Sequence, residues 1–109
     1  MWQNVIYRLR SNYKKVNKYI NFMDLGISGK KAIVCASSRG LGKACAESLA
    51  LEGVEIFING VQKENLKKTE NEFKDKGFKV SAVLGAMEDA STREALLNAC
   101  PNPDILINN

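Results

Sequence analysis

Short apolar runs alternate with longer amphipathic stretches over most of the chain. Residues 32–36 form an apolar run with the length of a buried parallel strand, and residues 40–52 follow with a helical pattern. The alternation continues with predicted strands at 54–58, 78–84 and 104–108 and predicted helices at 63–76 and 91–100. This β-α-β-α-β-α-β order predicts an α/β fold in which helices cover a parallel sheet and the crossovers are right-handed.

Local signals refine the three helices. Gly53 and Gly77 follow the first two, where glycine commonly ends a helix in the left-handed conformation. The sequence Ser91-Thr92-Arg93-Glu94 has the Ser-x-x-Glu pattern of a capping box, which predicts that the third helix begins there. We expect Leu66 and Phe73 to anchor the second helix. The inner face of the first helix is predicted to contain Leu41, Ala44, Cys45, Ser48 and Leu49.

Residues 1–22 differ from the rest of the chain, because they carry five basic side chains and no acidic one. Their apolar residues recur at spacings of three and four, which predicts one stripe of a helix formed by Trp2, Ile6, Leu9, Tyr13, Val16 and Ile20. Such a helix could lie on a membrane surface or serve as a targeting peptide. Since Met23 begins a segment with the character of a natural start, we interpret 1–22 as a basic N-terminal extension and 23–109 as the folded domain.

The composition narrows the possible functions. Residues 23–109 carry 11 basic and 12 acidic side chains, so the net charge of +4 comes from the extension, and no basic excess remains for nucleic acid. No run approaches about 18 consecutive apolar residues, so we expect no membrane span. The absence of histidine argues against a histidine-based catalytic triad and most zinc sites, and we expect no metal. Three cysteines without a signal peptide favour reduced thiols and a cytoplasmic location.

Residues 36–42 join the first predicted strand to the first predicted helix. A phosphate-binding turn must let the backbone approach the phosphates and direct free N–H groups at them. Gly40 and Gly42 suit this requirement because neither carries a Cβ. Ser37 and Ser38 add hydroxyl donors, and Arg39 adds a positive charge. The pattern predicts a site for the pyrophosphate of a dinucleotide, and a glycine-containing turn that binds nothing is the alternative. A P-loop is excluded because no Gly-Lys-Ser/Thr follows.

The end of the second predicted strand bears on which dinucleotide would bind. Rossmann-type domains, methyltransferases among them, commonly place an acidic residue there to hold a ribose hydroxyl. This chain has Asn59 and no carboxylate at that place. With Arg39 nearby, a ribose 2′-phosphate is better accommodated than a free 2′-hydroxyl, so we expect NADP rather than NAD.

Residues 34–44, 58–60 and 104–109 together resemble the short-chain dehydrogenase/reductase family, and within it the 3-oxoacyl-(acyl-carrier-protein) reductase group. They are similar, in order, to the family's Thr-Gly-x-x-x-Gly-x-Gly turn, its Asn-Gly-Arg strand ending and the start of its Asp-Ile-Leu-Val-Asn-Asn-Ala-Gly motif. The resemblance implies the first half of a Rossmann-type doubly wound parallel sheet. Residues 23–109 would be the N-terminal part of an NAD(P)-binding domain, truncated at its C-terminal end. We therefore expect the last strand to lack an outer neighbour.

The resemblance also implies where the cofactor would lie. The turn would line the pyrophosphate and 2′-phosphate with Ala36, Ser37, Ser38, Arg39, Gly40, Leu41 and Gly42. Asn59 would lie near the adenosine ribose, and Ala86 and Met87 would flank the adenine. Asn109 would approach the ribose on the nicotinamide side.

Three positions depart from the family's pattern. Ala36 replaces the first glycine of the turn, Val61 replaces the arginine after Asn-Gly, and Ala86 replaces the aspartate that usually meets the adenine amino group. Each lost hydrogen bond could weaken cofactor binding by about 1 kcal/mol. We therefore expect a specialised or loosened cofactor site.

The catalytic groups of the family are absent from these residues. In the family, a Tyr-x-x-x-Lys pair acts with a serine and an asparagine while hydride passes between the nicotinamide and the substrate. Here Tyr7, Tyr13 and Tyr19 each lack a lysine four positions later. We assign no catalytic residue. The resemblance implies that the intact protein, expected as a homo-oligomer, reduces a carbonyl or oxidises an alcohol. The alternative is an inactive truncated fragment that binds a nucleotide without turnover.

Overall fold

The computed structural model describes residues 6–8 and 26–108, and of residues 6–8 it describes the backbone alone. The strands are β1 (Ile6–Arg8), β2 (Lys31–Val34), β3 (Glu55–Gly60), β4 (Val80–Leu84) and β5 (Ile105–Asn108). The helices are α1 (Gly40–Leu51), α2 (Lys63–Asp75) and α3 (Ala90–Ala99). Every element predicted between residues 26 and 108 is present, with bounds shifted by at most two residues at either end.

The five strands form one parallel sheet in the order β1-β5-β2-β3-β4. In the centre, Val34 of β2 lies between Ile58 of β3 and Ile107 of β5. The chain thus moves outward from β2 to β4 and then returns to place β5 on the other side of β2. This reversal is the point at which a doubly wound sheet opens a crevice at the carboxyl ends of its strands. The predicted α/β fold with a doubly wound parallel sheet is confirmed.

Helices cover the two faces of the sheet unequally. On one face, α1 and α2 contribute Leu49 and Phe73 to a core that also contains Val34 and Ile56, all buried. On the other face, α3 places Leu96 against the alternate residues of the same strands, Ile33 and Phe57. The predicted anchors of α2 are confirmed, since Leu66 and Phe73 are 4% and 0% exposed.

The buried face of α1 differs from the predicted one. The buried residues are Gly42, Ala46, Ser48, Leu49 and Ala50. Leu41 and Ala44, which the pattern placed inside, are only half-buried. Glycine and two alanines spaced four residues apart form a narrow stripe, which lets α1 lie close to the sheet. The predicted residues Ser48 and Leu49 are buried, and Cys45 packs partly buried against the core. The observed face is therefore rotated from the predicted one toward Gly42, Ala46 and Ala50.

The start of α3 corrects a second prediction. The helix begins at Ala90 with Asp89 as its N-cap residue, so Ser91 lies inside the helix and is not its cap. No side chain among the described residues caps this end. The predicted capping box at Ser91–Glu94 is therefore wrong. The predicted ends of the first two helices are confirmed, because Gly53 and Gly77 both have a φ of 84° and directly follow the C-cap residues of α1 and α2.

The strand β1 corrects two predictions about the ends of the chain. Ile6–Arg8 was assigned to a helical stripe, but its backbone is extended and pairs in parallel with β5, with Tyr7 opposite Ile107. The strand β5 consequently has the outer neighbour that we expected it to lack. The other residues of the predicted N-terminal helix lie outside the described part of the chain.

Candidate functional site

A cleft of about 450 Å³ opens at the carboxyl ends of β2, β3, β4 and β5. It lies where the strand order reverses, which is the usual ligand position in an open α/β sheet. The cleft is lined by Cys35, Ala36, Ser38, Arg39, Asn59, Gly60, Val61, Ala86, Met87, Glu88 and Asn108. Each of these residues belongs to a strand end or to the turn that follows it.

The turn after β2 is sharp and contains a strained residue. Ala36 has a φ of 49°, and it is the one residue other than glycine with positive φ among those described. An L-residue in this region costs about 1–2 kcal/mol because its Cβ approaches the following carbonyl oxygen. The turn therefore requires the conformation that glycine provides, at the position where the family has glycine.

Buried hydrogen bonds hold this turn against β3. The Ser37 hydroxyl donates to the Val34 carbonyl at 2.7 Å and accepts the Asn59 N–H at 2.9 Å. The Ser37 N–H donates to the Asn59 carbonyl at 2.7 Å. Since Ser37 is 0% exposed, its hydroxyl serves the fold and does not reach the cleft.

The Asn59 side chain joins three segments at the base of the cleft. Its Oδ1 accepts the Ala36 N–H at 3.2 Å, and its Nδ2 donates to the carbonyls of Val83 and Gly85 at 3.1 and 2.9 Å. All of its amide groups are thus used within the protein, and Asn59 is 2% exposed. The residue fixes the spacing between the turn after β2 and the end of β4.

The N-terminus of α1 adjoins the cleft at Arg39, which lines it. Arg39 is the N-cap residue, no side chain of the described residues caps the helix, and its first turn contains no acid. The first N–H groups of the helix therefore carry the positive end of its dipole toward the turn without a neutralising partner. Arg39 is exposed, and it takes part in none of the ion pairs found among the described residues.

The loop between β4 and α3 forms the opposite wall, with Ala86, Met87 and Glu88 lining the cleft. It begins at Gly85, whose φ is 141°. A Cβ added to Gly85 would lie 2.2 Å from the Thr92 Oγ1, so α3 approaches the backbone at this point too closely for any side chain.

The structure brings together six of the eleven predicted site residues. Ala36, Ser38, Arg39, Asn59, Ala86 and Met87 line the cleft. Ser37 is buried beneath it, and Gly40, Leu41 and Gly42 form the first turn of α1 without lining it. Asn109 lies outside the described residues. The lining residues that we did not predict are Cys35, Gly60, Val61, Glu88 and Asn108. Four of the five adjoin predicted ones and Val61 lies two residues after Asn59. The general position of ligands at the carboxyl ends of parallel strands would have indicated all five.

The chemistry of the cleft fits a phosphorylated nucleotide. Uncapped helix N–H groups and a guanidinium suit phosphate oxygens, and Ala86 and Met87 offer an apolar wall to a base.

Burial raises the pKa of the Cys35 thiol, so this lining residue is not a thiolate nucleophile at neutral pH. Within the described residues, no group of three or more acidic, cysteine or histidine side chains could hold a metal ion. Nor is any helix there long and apolar enough to cross a bilayer.

These features are typical of the Rossmann-like class of α/β domains. Residues 30–109 match the family model described as short chain dehydrogenase. The chain therefore belongs to the short-chain dehydrogenase family, as its motifs predicted.

Named relatives agree with this membership. The chain is 43% identical over 90 residues to the uncharacterized oxidoreductase YvaG of Bacillus subtilis, covering 80% of this chain and 34% of the relative. It is 34% identical over 92 residues to the 3-oxoacyl-(acyl-carrier-protein) reductase FabG of Aquifex aeolicus, covering 80% and 37%. The crystal structure of L-sorbose reductase from Gluconobacter frateurii, complexed with NADPH and L-sorbose, matches with a TM-score of 0.75 and 35% identity, covering 80% and 35%. The chain thus spans about a third of the length of these proteins.

Proposed function

We propose that this chain is the NADP(H)-binding part of a short-chain dehydrogenase/reductase, and that the whole protein interconverts a carbonyl and an alcohol. The observation that carries the proposal is the uncapped N-terminus of α1, with Arg39 beside it, at the mouth of a cleft placed where the strand order reverses. When bound, the nicotinamide would supply or accept the hydride.

The residues of this chain would bind and orient the cofactor. The first-turn N–H groups of α1 would bind the pyrophosphate, and Ser38 and Arg39 would extend this contact. The Ser37 and Asn59 hydrogen bonds would hold the turn in shape. Asn59, which lines the cleft, would lie near the adenosine ribose. The wall formed by Ala86 and Met87 would pack against the adenine.

The preference for NADP over NAD rests on the charges around the cleft. Asn59 and Val61, at the end of β3, offer no carboxylate to a free 2′-hydroxyl, and the Asn59 amide is already used within the fold. Arg39 is the cationic side chain among the lining residues, and a 2′-phosphate within its reach would gain charge-assisted hydrogen bonds.

The 109 residues on their own are proposed to bind the cofactor without turnover. They contain no Tyr-x-x-x-Lys sequence that could exchange a proton with a substrate oxygen. The three cysteines are free thiols, which suits a reducing compartment, so we propose a cytoplasmic location. A homo-oligomeric whole protein remains part of the same proposal.

Titration calorimetry with NADPH and NADH tests the binding site. We expect NADPH to bind more tightly than NADH, and Arg39→Ala to weaken NADPH binding about tenfold to a hundredfold with little effect on NADH. Lys79→Ala is the matched control, because it removes an equal charge just before β4, at the opposite end of the sheet. Tighter binding of NADH would contradict the NADP assignment. Absence of any dinucleotide binding would contradict the proposed function, and ketone-dependent NADPH oxidation by this chain would contradict its assignment as a binding part.

A further inference from the structure

We propose that Arg93 is a positioning residue that sets the adenine-side wall of the cleft, an inference that rests on the proposed function. Arg93 lies in the first turns of α3, outside the cleft, and its side chain reaches back over the preceding loop. Its Nη1 donates to the carbonyl oxygens of Met87 and Glu88 at 2.7 and 2.9 Å. Both acceptors belong to residues that line the cleft.

These two hydrogen bonds fix consecutive peptide planes. The N–H and C=O groups of a trans peptide point in opposite directions, so holding the Met87 carbonyl also fixes the direction of the Glu88 N–H. The neighbouring backbone contacts lie within the loop or at its first residue: the Asp89 N–H donates to the Ala86 carbonyl at 3.0 Å, and the Gly85 N–H donates to the Gly60 carbonyl of β3 at 2.9 Å. Arg93 thus supplies the contact that ties the tip of the loop, Met87 and Glu88, to the body of α3.

The charge of Arg93 is directed to this loop. Glu88, Asp89 and Glu94 are its acidic neighbours in the sequence, yet in the described part of the chain Arg93 forms no ion pair with any carboxylate. A guanidinium bonded to two neutral carbonyls forms charge-assisted hydrogen bonds, which are stronger than neutral ones. Because the side chain is exposed, its loss should loosen the loop without opening the core.

The arrangement would matter most for the base of the cofactor. The loop supplies three lining residues, and the family's usual aspartate contact to the adenine is replaced here by Ala86. Without that carboxylate, recognition of the adenine depends on the shape and the backbone groups of the wall. Arg93 would then determine how well the wall fits the base, while the phosphate contacts near Arg39 stay unchanged.

Two variants of Arg93 test this role. Arg93→Met keeps the length of the aliphatic stem and removes every donor, and Arg93→Lys retains a cationic nitrogen with several hydrogens. Asn98→Met, at another exposed position of α3, controls for adding a methionine to that surface. Amide hydrogen exchange of residues 85–90 is measured in the free chain. We expect faster exchange in Arg93→Met, partial recovery in Arg93→Lys and no change in Asn98→Met.

Binding measurements then connect the loop to the base. We expect Arg93→Met to weaken NADPH binding about tenfold and to reduce the discrimination between NADPH and its hypoxanthine analogue, which differs in the base alone. Binding of the reduced nicotinamide mononucleotide, which lacks the adenosine half, should not change. Unchanged exchange, or an equal loss of affinity for all three ligands, would overturn the inference. If the unaltered chain bound no dinucleotide, the proposed function would fail instead, and the exchange data would still decide whether Arg93 holds the loop.

Discussion

Two parts of the molecule use polar contacts to join segments that are distant in the sequence, and they do so in opposite settings. At the carboxyl ends of the strands, Ser37 and Asn59 are neutral, at most 2% exposed, and bonded within the fold. On the outer surface, α1 and α2 are joined by the ion pair of Lys43 with Glu72, whose side chains are 32% and 36% exposed. A second such pair, between Glu47 and Lys76, lies one helical turn further along.

The two kinds of contact differ in whether water can solvate their polar groups once the contact is broken. A surface ion pair that separates is rehydrated on both sides, so its net contribution is small and depends on salt. A buried amide that loses its partner leaves several backbone groups away from water, and each unsatisfied group costs about 1–3 kcal/mol. We therefore expect the neutral buried contacts to determine the shape of the cleft, although the charged ones are more conspicuous in the sequence.

The largest effect is expected from Asn59→Asp. The carboxylate could still accept the Ala36 N–H, but it could not donate to the carbonyls of Val83 and Gly85 and would place a charge beside them. We expect the free energy of unfolding to fall by about 3 kcal/mol or more, measured by urea denaturation. Asn98→Asp makes the same change at an exposed position of α3 and should cost less than about 0.5 kcal/mol. Equal losses in the two variants would remove the distinction between buried and exposed polar groups.

The next effect is expected from Gly85→Ala. Its φ of 141° is nearly restricted to glycine, and the new Cβ would lie 2.2 Å from the Thr92 Oγ1. We expect a loss of about 2–3 kcal/mol in the free energy of unfolding. Introducing the same change into a Thr92→Ala background separates backbone strain from steric overlap. Recovery of part of the loss would identify the overlap, and no loss in either background would contradict the close approach of α3.

A gain in stability is expected from Ala36→Gly. Glycine removes the strain of a left-handed alanine but increases the entropy of the unfolded chain, so the net stabilisation should be about 0.5–1 kcal/mol. The matched control is Ala44→Gly, which replaces a half-buried alanine inside α1 and should destabilise by about 0.5–1 kcal/mol. Opposite signs for the two substitutions in urea denaturation would support the strained turn. A destabilising Ala36→Gly would show that the turn does not require positive φ at this residue.

The sheet and the turn after β2 can be predicted from the sequence more readily than the hydrogen bonds that hold them in place. Alternating apolar runs define strands and helices because burial on both faces of a parallel sheet leaves a clear pattern. The role of Asn59 left no such signal, because one asparagine at a strand end is compatible with a ribose contact or with a structural one. Arg93 gave no signal either, since its partners are main-chain carbonyls, which every residue has. The strand at Ile6–Arg8 was missed because pairing with β5 is a long-range contact, and the local spacing favoured a helix.

The smallest effect is expected from the exposed ion pairs, and it appears as a dependence on pH. The hydrogen bond from Lys43 holds the pKa of the Glu72 carboxyl below its ordinary value of 4.5, and the positive charges of Lys43, Lys68 and Lys76 act in the same direction. A depressed folded-state pKa stabilises the fold above the unfolded-state value, and this stabilisation is lost as the pH falls through the folded-state value. From about pH 5 to pH 3, the unaltered chain should therefore lose stability more steeply than Glu72→Gln.

The Glu47–Lys76 pair raises the pKa of Lys76 above 10.5, so the charge of Lys76 is constant over this acid range. Urea midpoints measured at low and high salt would check the assignment, because added salt should reduce the difference between the two proteins. Parallel pH profiles would show that Glu72 contributes nothing that acid can remove, and the contrast with the buried Asn59 contacts would then be sharper still.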